Sequence, residues 1–280
     1  MPDDLKDRTF LITGANTGIG KATVEGLAER GARVIMAGRS AAKHREAIGE
    51  ISAATTNSRL EFLPLDLGDL NSTRGAATAL VERGERIDVL IDNAGVAGQR
   101  GRTTQGFELA FGINHLGHFL FTNLLLERLG EGAPGRVVIV SSDSHYQAKG
   151  VDFDAVRRST ATTTGLREYG VSKLCNVLFG QELARRHSDA LTVCSLHPGV
   201  IASDVWRRVP WPVRPVMKRF MGSTAEGAVA SLHCATVEHL EGRNGGFYEK
   251  TKPKDPSRVA TPELAAELWR RSEDWTADFR

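Results

Sequence analysis

The sequence predicts an α/β protein, a single domain built on a doubly wound parallel sheet of about seven strands with helices on both faces. Three observations carry this expectation. Short runs rich in Val, Ile and Leu alternate with longer stretches of helical periodicity, the pattern of parallel strands joined by crossover helices. The first such run ends in a glycine-rich turn that opens a helix. No internal repeat, low-complexity tract or linker divides the 280 residues, a length that suits one large core.

The elements follow in order. Arg8 to Ile12 is a buried strand ending in the turn Thr13-Gly14, and Gly20 to Arg30 is helical through Val24, Leu27 and Ala28, closing at Gly31. Arg33 to Ala37 is the second strand and Ala41 to Ala53 the next helix. Leu60 to Leu65 and Leu70 to Arg83 repeat the pair. Ile87 to Ile91, Arg136 to Val140 and Leu191 to Leu196 are the fourth, fifth and sixth strands, and Gly246 to Tyr248 a short seventh.

Composition narrows the class. Hydrophobic residues make up 41% and charged residues 25%, ordinary for a soluble globular chain. The 36 basic and 34 acidic residues are well mixed and leave a net charge of +2, which argues against a nucleic-acid partner. Cys175, Cys194 and Cys234 lie in apolar stretches without metal-ligand spacing, so buried thiols in a reducing compartment and no metal site are expected. With no signal peptide and no apolar run of spanning length, the expectation is a cytoplasmic protein.

The first candidate site is the loop Thr13-Gly14-Ala15-Asn16-Thr17-Gly18-Ile19-Gly20. Its glycines allow a tight turn and close approach of an anion, and the helix start supplies N–H groups and partial positive charge. A purely structural turn is the competing reading. Gly14, Asn16, Thr17, Gly18, Ile19 and Gly20 are therefore candidate nucleotide contacts. Arg39 stands just past the second strand, where a carboxylate would hold a ribose 2′-hydroxyl; a guanidinium there suits a 2′-phosphate, so NADP(H) is expected over NAD. A solvated loop arginine is the alternative. Asp66 and Leu67 follow the third strand where the adenine edge would lie, and Asn93-Ala94-Gly95 follow the fourth, with small residues to let backbone pass a cofactor and Asn93 to tie neighbouring strands.

Tyr169 and Lys173 stand four apart on a helix, hence on one face. An ammonium beside a phenol favours phenolate, so a lowered tyrosine pKa and proton transfer near neutral pH are expected. Alone the pair is as easily two ordinary helix-face residues.

Taken in order, these pieces resemble the short-chain dehydrogenase/reductase superfamily over nearly the whole chain. The resembling residues are the glycine loop, Asp66, Asn93-Ala94-Gly95, Asn114, Ser141-Ser142, Tyr169-x-x-x-Lys173 and Pro198-Gly199. Asn114 to Phe119, Arg136 to Ser142, His197 to Val200 and Ser231 to Ala235 are similar to the retinol-dehydrogenase-like branch. The resemblance implies a Rossmann-like fold and a catalytic tetrad of Asn114, Ser142, Tyr169 and Lys173. Tyr169 would move the proton and Ser142 would bind the substrate oxygen, with Ser141 facing the other way along its strand. Lys173 would tune Tyr169 and hold the nicotinamide ribose, and Asn114 would fix a water leading from Lys173 to solvent. Pro198, Gly199 and Val200 would border the nicotinamide, and Ser203 would stand in for a threonine that often contacts its carboxamide.

Two stretches depart from the usual pattern. The long connection Asp143 to Glu168, with His145, Tyr146 and the run Thr160 to Gly165, is expected to form part of the pocket wall. His145 and Tyr146 are candidates to touch substrate, against the plainer expectation of a solvated loop histidine. At about 201–222 a substrate lid is expected. Its stretch Asp204 to Met221 carries five basic residues and one acidic, with Trp206, Trp211, Met217, Phe220 and Met221 as apolar surface. It lines an apolar pocket, rests on a membrane surface, or is a solvated loop with neither role.

The function expected is hydride transfer between NADP(H) and an apolar carbonyl or alcohol. A C=C reductase of the same fold and a non-catalytic NADP(H)-binding regulator are the alternatives. Leu116, Phe119, Leu120 and Leu124, with Leu174, Val177, Leu178 and Gln181, could build a helix bundle between the subunits of a homodimer; the same apolar faces also serve to pack the sheet, and monomers occur in the branch the chain resembles.

Overall fold

The computed structural model describes residues 3–131, 134–199 and 223–280. Strand and helix alternate as β1 Thr9–Thr13, α1 Gly18–Ala28, β2 Arg33–Gly38, α2 Ala41–Thr55, β3 Leu60–Pro64, α3 Leu70–Glu82 and β4 Val89–Asp92. The helical stretch α4 then runs through Leu109–Phe111, a π-helical turn Gly112–Leu116 and Gly117–Leu124. β5 Gly135–Val140, α5 Leu166–Arg186, β6 Leu191–His197, α6 Thr224–Thr236, β7 Gly246–Glu249, β8 Lys252–Lys254 and α7 Pro262–Thr276 complete the order.

The strands pair in the order β3-β2-β1-β4-β5-β6-β7-β8. The first seven are parallel and β8 is antiparallel to β7. This is the expected doubly wound sheet with one strand more than anticipated. Lys252-Pro253-Lys254 has no apolar alternation to announce it and contains a proline. Such a strand suits a sheet edge, where the missing N–H costs no ladder bond and lysines discourage further pairing.

Neighbouring strand residues feed opposite layers. Leu11, Ile35, Leu90, Val137 and Val193 face one core with α3, α4 and α5, through Ala76, Leu80, Phe119, Phe121 and Phe179. Phe10, Ile12, Val34, Met36, Val89, Ile91 and Val138 face the other with α1, α2 and α6, through Val24, Leu27, Ala47, Ile51 and Ala230. The register supports this, with Leu11 opposite both Ile35 and Leu90. Each fully buried aliphatic side chain contributes about 1.5–3 kcal/mol relative to exposure. That both faces are buried explains why the strands read as continuous apolar runs.

α7 begins at Pro262 behind Thr261, whose side chain accepts from Leu264 N, an arrangement favoured at helix starts. It packs along α5. Trp269 lies 5.0 Å from the Phe119 ring and 5.8 Å from Phe179. Leu116, Phe119, Leu120, Leu174, Val177 and Leu178 are fully buried within this one chain. The face expected to meet a second subunit is thus occupied internally, with Leu124 and Gln181 half-buried at its margin. The sequence pattern could not separate the two uses, because both need an apolar helix face. No helix among the described residues is long and apolar enough to cross a membrane.

Candidate active site

After β1 the chain moves outward to β2 and β3, and from β4 onward it builds in the opposite direction, so a crevice opens at the carboxyl ends of β1 and β4. Its floor is held by bonds between main chain and the side chains of Thr13 and Asn93. Thr13 Oγ1 accepts from Asn93 N at 3.0 Å and Ala94 N at 2.9 Å. Asn93 Nδ2 donates to Thr13 O at 2.8 Å and Gly14 O at 3.2 Å, so Asn93 does tie β4 to the glycine loop. Gly14 has φ +66°, and a Cβ there would lie 2.9 Å from Ala94 Cα. At Gly20 it would lie 2.3 Å from Gly14 O and 2.5 Å from Asn93 Nδ2. These glycines are therefore demanded by packing, whatever binds above them. α1 starts at Gly18, directly behind the glycine loop, so its first N–H groups lie beside that loop.

Around this floor, Asn16 and Ile19 are half-buried and Arg39 is exposed just past the end of β2. Asp66 Oδ1 accepts from Gly68 N at 2.9 Å. Leu67 is buried against Gly117, where a Cβ would come within 2.5 Å of Leu67 O. Pro198 and Gly199 follow β6, Gly199 at φ +94°. Val200, Ser203 and the expected lid at 201–222 lie outside the described residues.

The second half of the site is a buried corner where β5 ends against α5. Tyr169 is 8% exposed and Lys173 3%. Lys173 Nζ donates to Val140 O at 2.8 Å and lies 5.7 Å from the Tyr169 ring centre. Ser141 Oγ donates to Lys173 O at 2.8 Å, whereas Ser142 Oγ turns to Ser144, accepting from its N at 3.2 Å and lying 3.3 Å from its Oγ. Just past the end of β5, the two serines turn to different partners, as the sequence suggested. Asn114 sits fully buried in the π-turn. Its Oδ1 accepts from Val96 N at 2.8 Å, and its Nδ2 donates to Val96 O at 3.0 Å and Ser172 Oγ at 2.9 Å. A Cβ on Gly95 would meet Asn114 Oδ1 at 3.3 Å and Lys173 Nζ at 3.5 Å, so Gly95 is the close passage between floor and corner.

Burial sets the electrostatics here. It pushes the Lys173 ammonium down to about 7. It also raises the Tyr169 phenol above its ordinary value, against an opposing contribution from the Ser142 side chain. The expectation that Lys173 lowers Tyr169 is corrected for these protein groups. Loss of hydration disfavours both charged forms, and a lysine near 7 is charged only part of the time at neutral pH.

The long connection is also reassigned in part. His145 is fully buried, with Nδ1 2.7 Å from Ser142 O and Nε2 accepting from Ser257 N at 3.0 Å, so it has no face left for substrate. Tyr146 is 38% exposed and donates to Asp255 O at 2.5 Å. Thr160 and Thr162 donate to Glu108 and Glu168 and pin the connection to the starts of α4 and α5. Beyond the corner, Asp143, His197 and Glu249 bring ligand-type atoms within 4.8 Å of one another. Lys254 stands 3.5 Å from Asp143 and 3.1 Å from Glu249 and supplies positive charge there.

A crevice at the switch point of a doubly wound sheet, floored by glycines, defines a nucleotide-binding α/β class. The short chain dehydrogenase family matches residues 8–153. Retinol dehydrogenase 12 of Mus musculus is 42% identical over 270 residues, covering 94% of this chain and 84% of that protein. Retinol dehydrogenase 13 of Homo sapiens is 39% identical, covering 95% and 83%. Among solved structures, a protein from Mycobacterium Paratuberculosis is 35% identical with TM-score 0.77, covering 99% of this chain and 97% of that one. A short chain dehydrogenase from Shigella flexneri, complexed with NADP, shares the fold at 23% identity and TM-score 0.72, covering 90% and 100%. The chain belongs to the short-chain dehydrogenase/reductase family of oxidoreductases, in its retinol-dehydrogenase-like branch.

Proposed function

We propose that the chain is an NADP(H)-dependent oxidoreductase acting on an apolar carbonyl or alcohol, with Tyr169 as its general acid and base. The observation that carries the reading is the convergence of Tyr169, Lys173, Ser142 and Asn114 beside the glycine floor, with Gly95 between them. The chain's own residues fit the cofactor. A helix start behind a glycine turn suits a diphosphate, and the exposed Arg39 suits a 2′-phosphate. Asp66 and Leu67 would border the adenine, and Asn93, Ala94 and Gly95 the stretch next to it. Pro198, Gly199, Val200 and Ser203 would border the nicotinamide, and Tyr169 and Lys173 its ribose.

The bound nicotinamide supplies or takes up the hydride. Everything else falls to the protein. Ser142 hydrogen-bonds the substrate oxygen and fixes it against the Tyr169 hydroxyl. Burial keeps Tyr169 protonated at neutral pH, which suits proton donation to a carbonyl oxygen and hence reduction. Lys173 exchanges its proton near pH 7 and can restore the one Tyr169 gives up. Asn114 braces the Val96 loop over this corner.

The test is NADPH oxidation followed by absorbance with a panel of aldehydes, ketones and quinones. The relatives named retinol dehydrogenases put retinal first in that panel. Turnover with NADPH in preference to NADH, abolished in Tyr169→Phe while cofactor still binds, is the expected result. Cofactor binding with no turnover across the panel and in the reverse direction would sink the enzyme reading in favour of a binding role.

A further inference from the structure

Two buried histidines outside the tetrad share one geometry. His118, on α4, has Nε2 2.8 Å from Thr13 Oγ1 and Nδ1 3.0 Å from Asn114 O. His145, just after β5, has Nε2 3.0 Å from Ser257 N and Nδ1 2.7 Å from Ser142 O. Each ring thus spans from the main-chain carbonyl of a tetrad residue to a segment distant in sequence.

The partners fix which nitrogen carries the proton. Thr13 Oγ1 already accepts two main-chain N–H groups, from Asn93 and Ala94. A hydroxyl has two acceptor lone pairs and one donor, so only its O–H remains for His118. Nε2 of His118 must accept, and Nδ1 carries the hydrogen. At His145 the Ser257 N–H can only donate, so Nε2 again accepts and Nδ1–H is left to donate. In both cases a carbonyl oxygen, which cannot donate, faces Nδ1. The outer hydrogen bond selects the tautomer and the tautomer serves the tetrad residue, the logic by which one ring nitrogen's partner sets the state of the other.

We propose that His118 and His145 are positioning residues of the reaction, each locked as the Nδ1–H tautomer by the bond its Nε2 accepts, and each holding the main chain of a tetrad residue, Asn114 and Ser142, in working register. This rests on the oxidoreductase reading above. The geometry gives each clamp a separate job. His118 couples the Thr13 knot, where β1, β4 and the glycine loop meet, to the π-turn that carries Asn114. His145 couples the segment leading to α7 to the turn that carries Ser142. Ser142 O accepts both His145 N, at 3.0 Å, and His145 Nδ1, so this turn is closed twice by one residue. Burial keeps both rings in the uncharged form, His118 down to about 4 and His145 below its ordinary value, as a tautomeric clamp requires.

Asparagine and glutamine separate the two ends of the ring. The Asn amide nitrogen reaches about where Nδ1 lies and keeps the donor; the Gln amide reaches only toward Nε2 and loses it. His118→Gln and His145→Gln should lower kcat by about 10-fold or more, the loss of roughly one oriented contact, with NADPH affinity nearly unchanged. His118→Asn and His145→Asn should recover most of that loss. A merely structural role predicts that Asn and Gln lower thermal stability alike and leave kcat per folded molecule alone, and that result overturns the proposal. The tautomer is read independently by nitrogen-15 NMR of the imidazoles in the full chain, which needs no substrate. Both rings should be uncharged with hydrogen on Nδ1 at neutral pH, and a charged ring or an Nε2–H form at either overturns the assignment. Full turnover in Tyr169→Phe would mark failure of the oxidoreductase mechanism itself, whichever way the histidine variants behave.

Discussion

The two halves of the site are built by opposite means. The nucleotide floor, where β1 and β4 meet, is made of backbone and of missing side chains: Gly14, Gly20 and Gly95 leave room that a Cβ would fill. The corner at the end of β5 is made of large buried polar side chains, Tyr169, Lys173 and Asn114, whose behaviour is set by loss of hydration. Shape specifies the floor and desolvation specifies the corner. A defect in the first should appear in stability and cofactor affinity, and a defect in the second in turnover and pH dependence.

The sharpest way to break this division is Tyr169→Phe. Removal of the hydroxyl should cut kcat by about 10²–10⁴-fold, the range for loss of a general acid, with cofactor affinity little changed in a fluorescence titration. A parallel loss of affinity would mean that the corner also shapes the cofactor site.

Asp92, at the end of β4, extends the desolvation rule outside catalysis. It is fully buried with Oδ1 unpartnered, and burial raises it to about 8 from an ordinary value of 3.8. The folded protein therefore binds a proton that the unfolded chain has released between about pH 4 and pH 8. Stability contributed by the protonated form is present below pH 4 and is lost as pH rises through 8, with a slope of at most about 1.4 kcal/mol per pH unit. Asp92→Asn should flatten the dependence of denaturation midpoint on pH across this window and be the more stable form at pH 8. An unchanged slope would show Asp92 hydrated in solution.

Arg39→Ala tests the exposed edge of the floor. Loss of a charge-assisted contact should weaken NADPH binding by about 1.5–3 kcal/mol and leave NADH binding unchanged, as read by competitive titration. Equal effects on both cofactors would remove Arg39 from the 2′-phosphate.

The smallest effects come from a matched glycine pair. Gly20→Ala should cost about 1–3 kcal/mol of stability through overpacking, with weaker cofactor binding. Gly49→Ala, in the interior of α2 with no atom near its would-be Cβ, should stabilise by about 0.4–1 kcal/mol. If both behave alike in denaturant titration, the glycine loop is looser than its distances imply.

Much of this molecule was legible in its residues. Continuous apolar runs such as Phe10 to Ile12 and Val137 to Val140 announce strands buried on both faces, because no solvent side exists to impose alternation. The spacing of Gly14, Gly18 and Gly20 announces the turn, since few other sequences can close it. Tyr169 and Lys173 announce themselves through helical period. β8 stayed hidden because Lys-Pro-Lys owes its pairing to the neighbouring β7 rather than to its own propensity. Tertiary structure also decided three things that residue identity leaves open. The apolar faces of α4 and α5 turn inward with Trp269 of α7 laid against them, because any apolar face takes whichever cover the chain supplies. His118 and His145 became clamps because residues far away in sequence, Thr13 and Ser257, meet their Nε2 atoms. The direction of the Tyr169 and Lys173 shifts was set by how deeply each is buried, and burial belongs to the assembled fold.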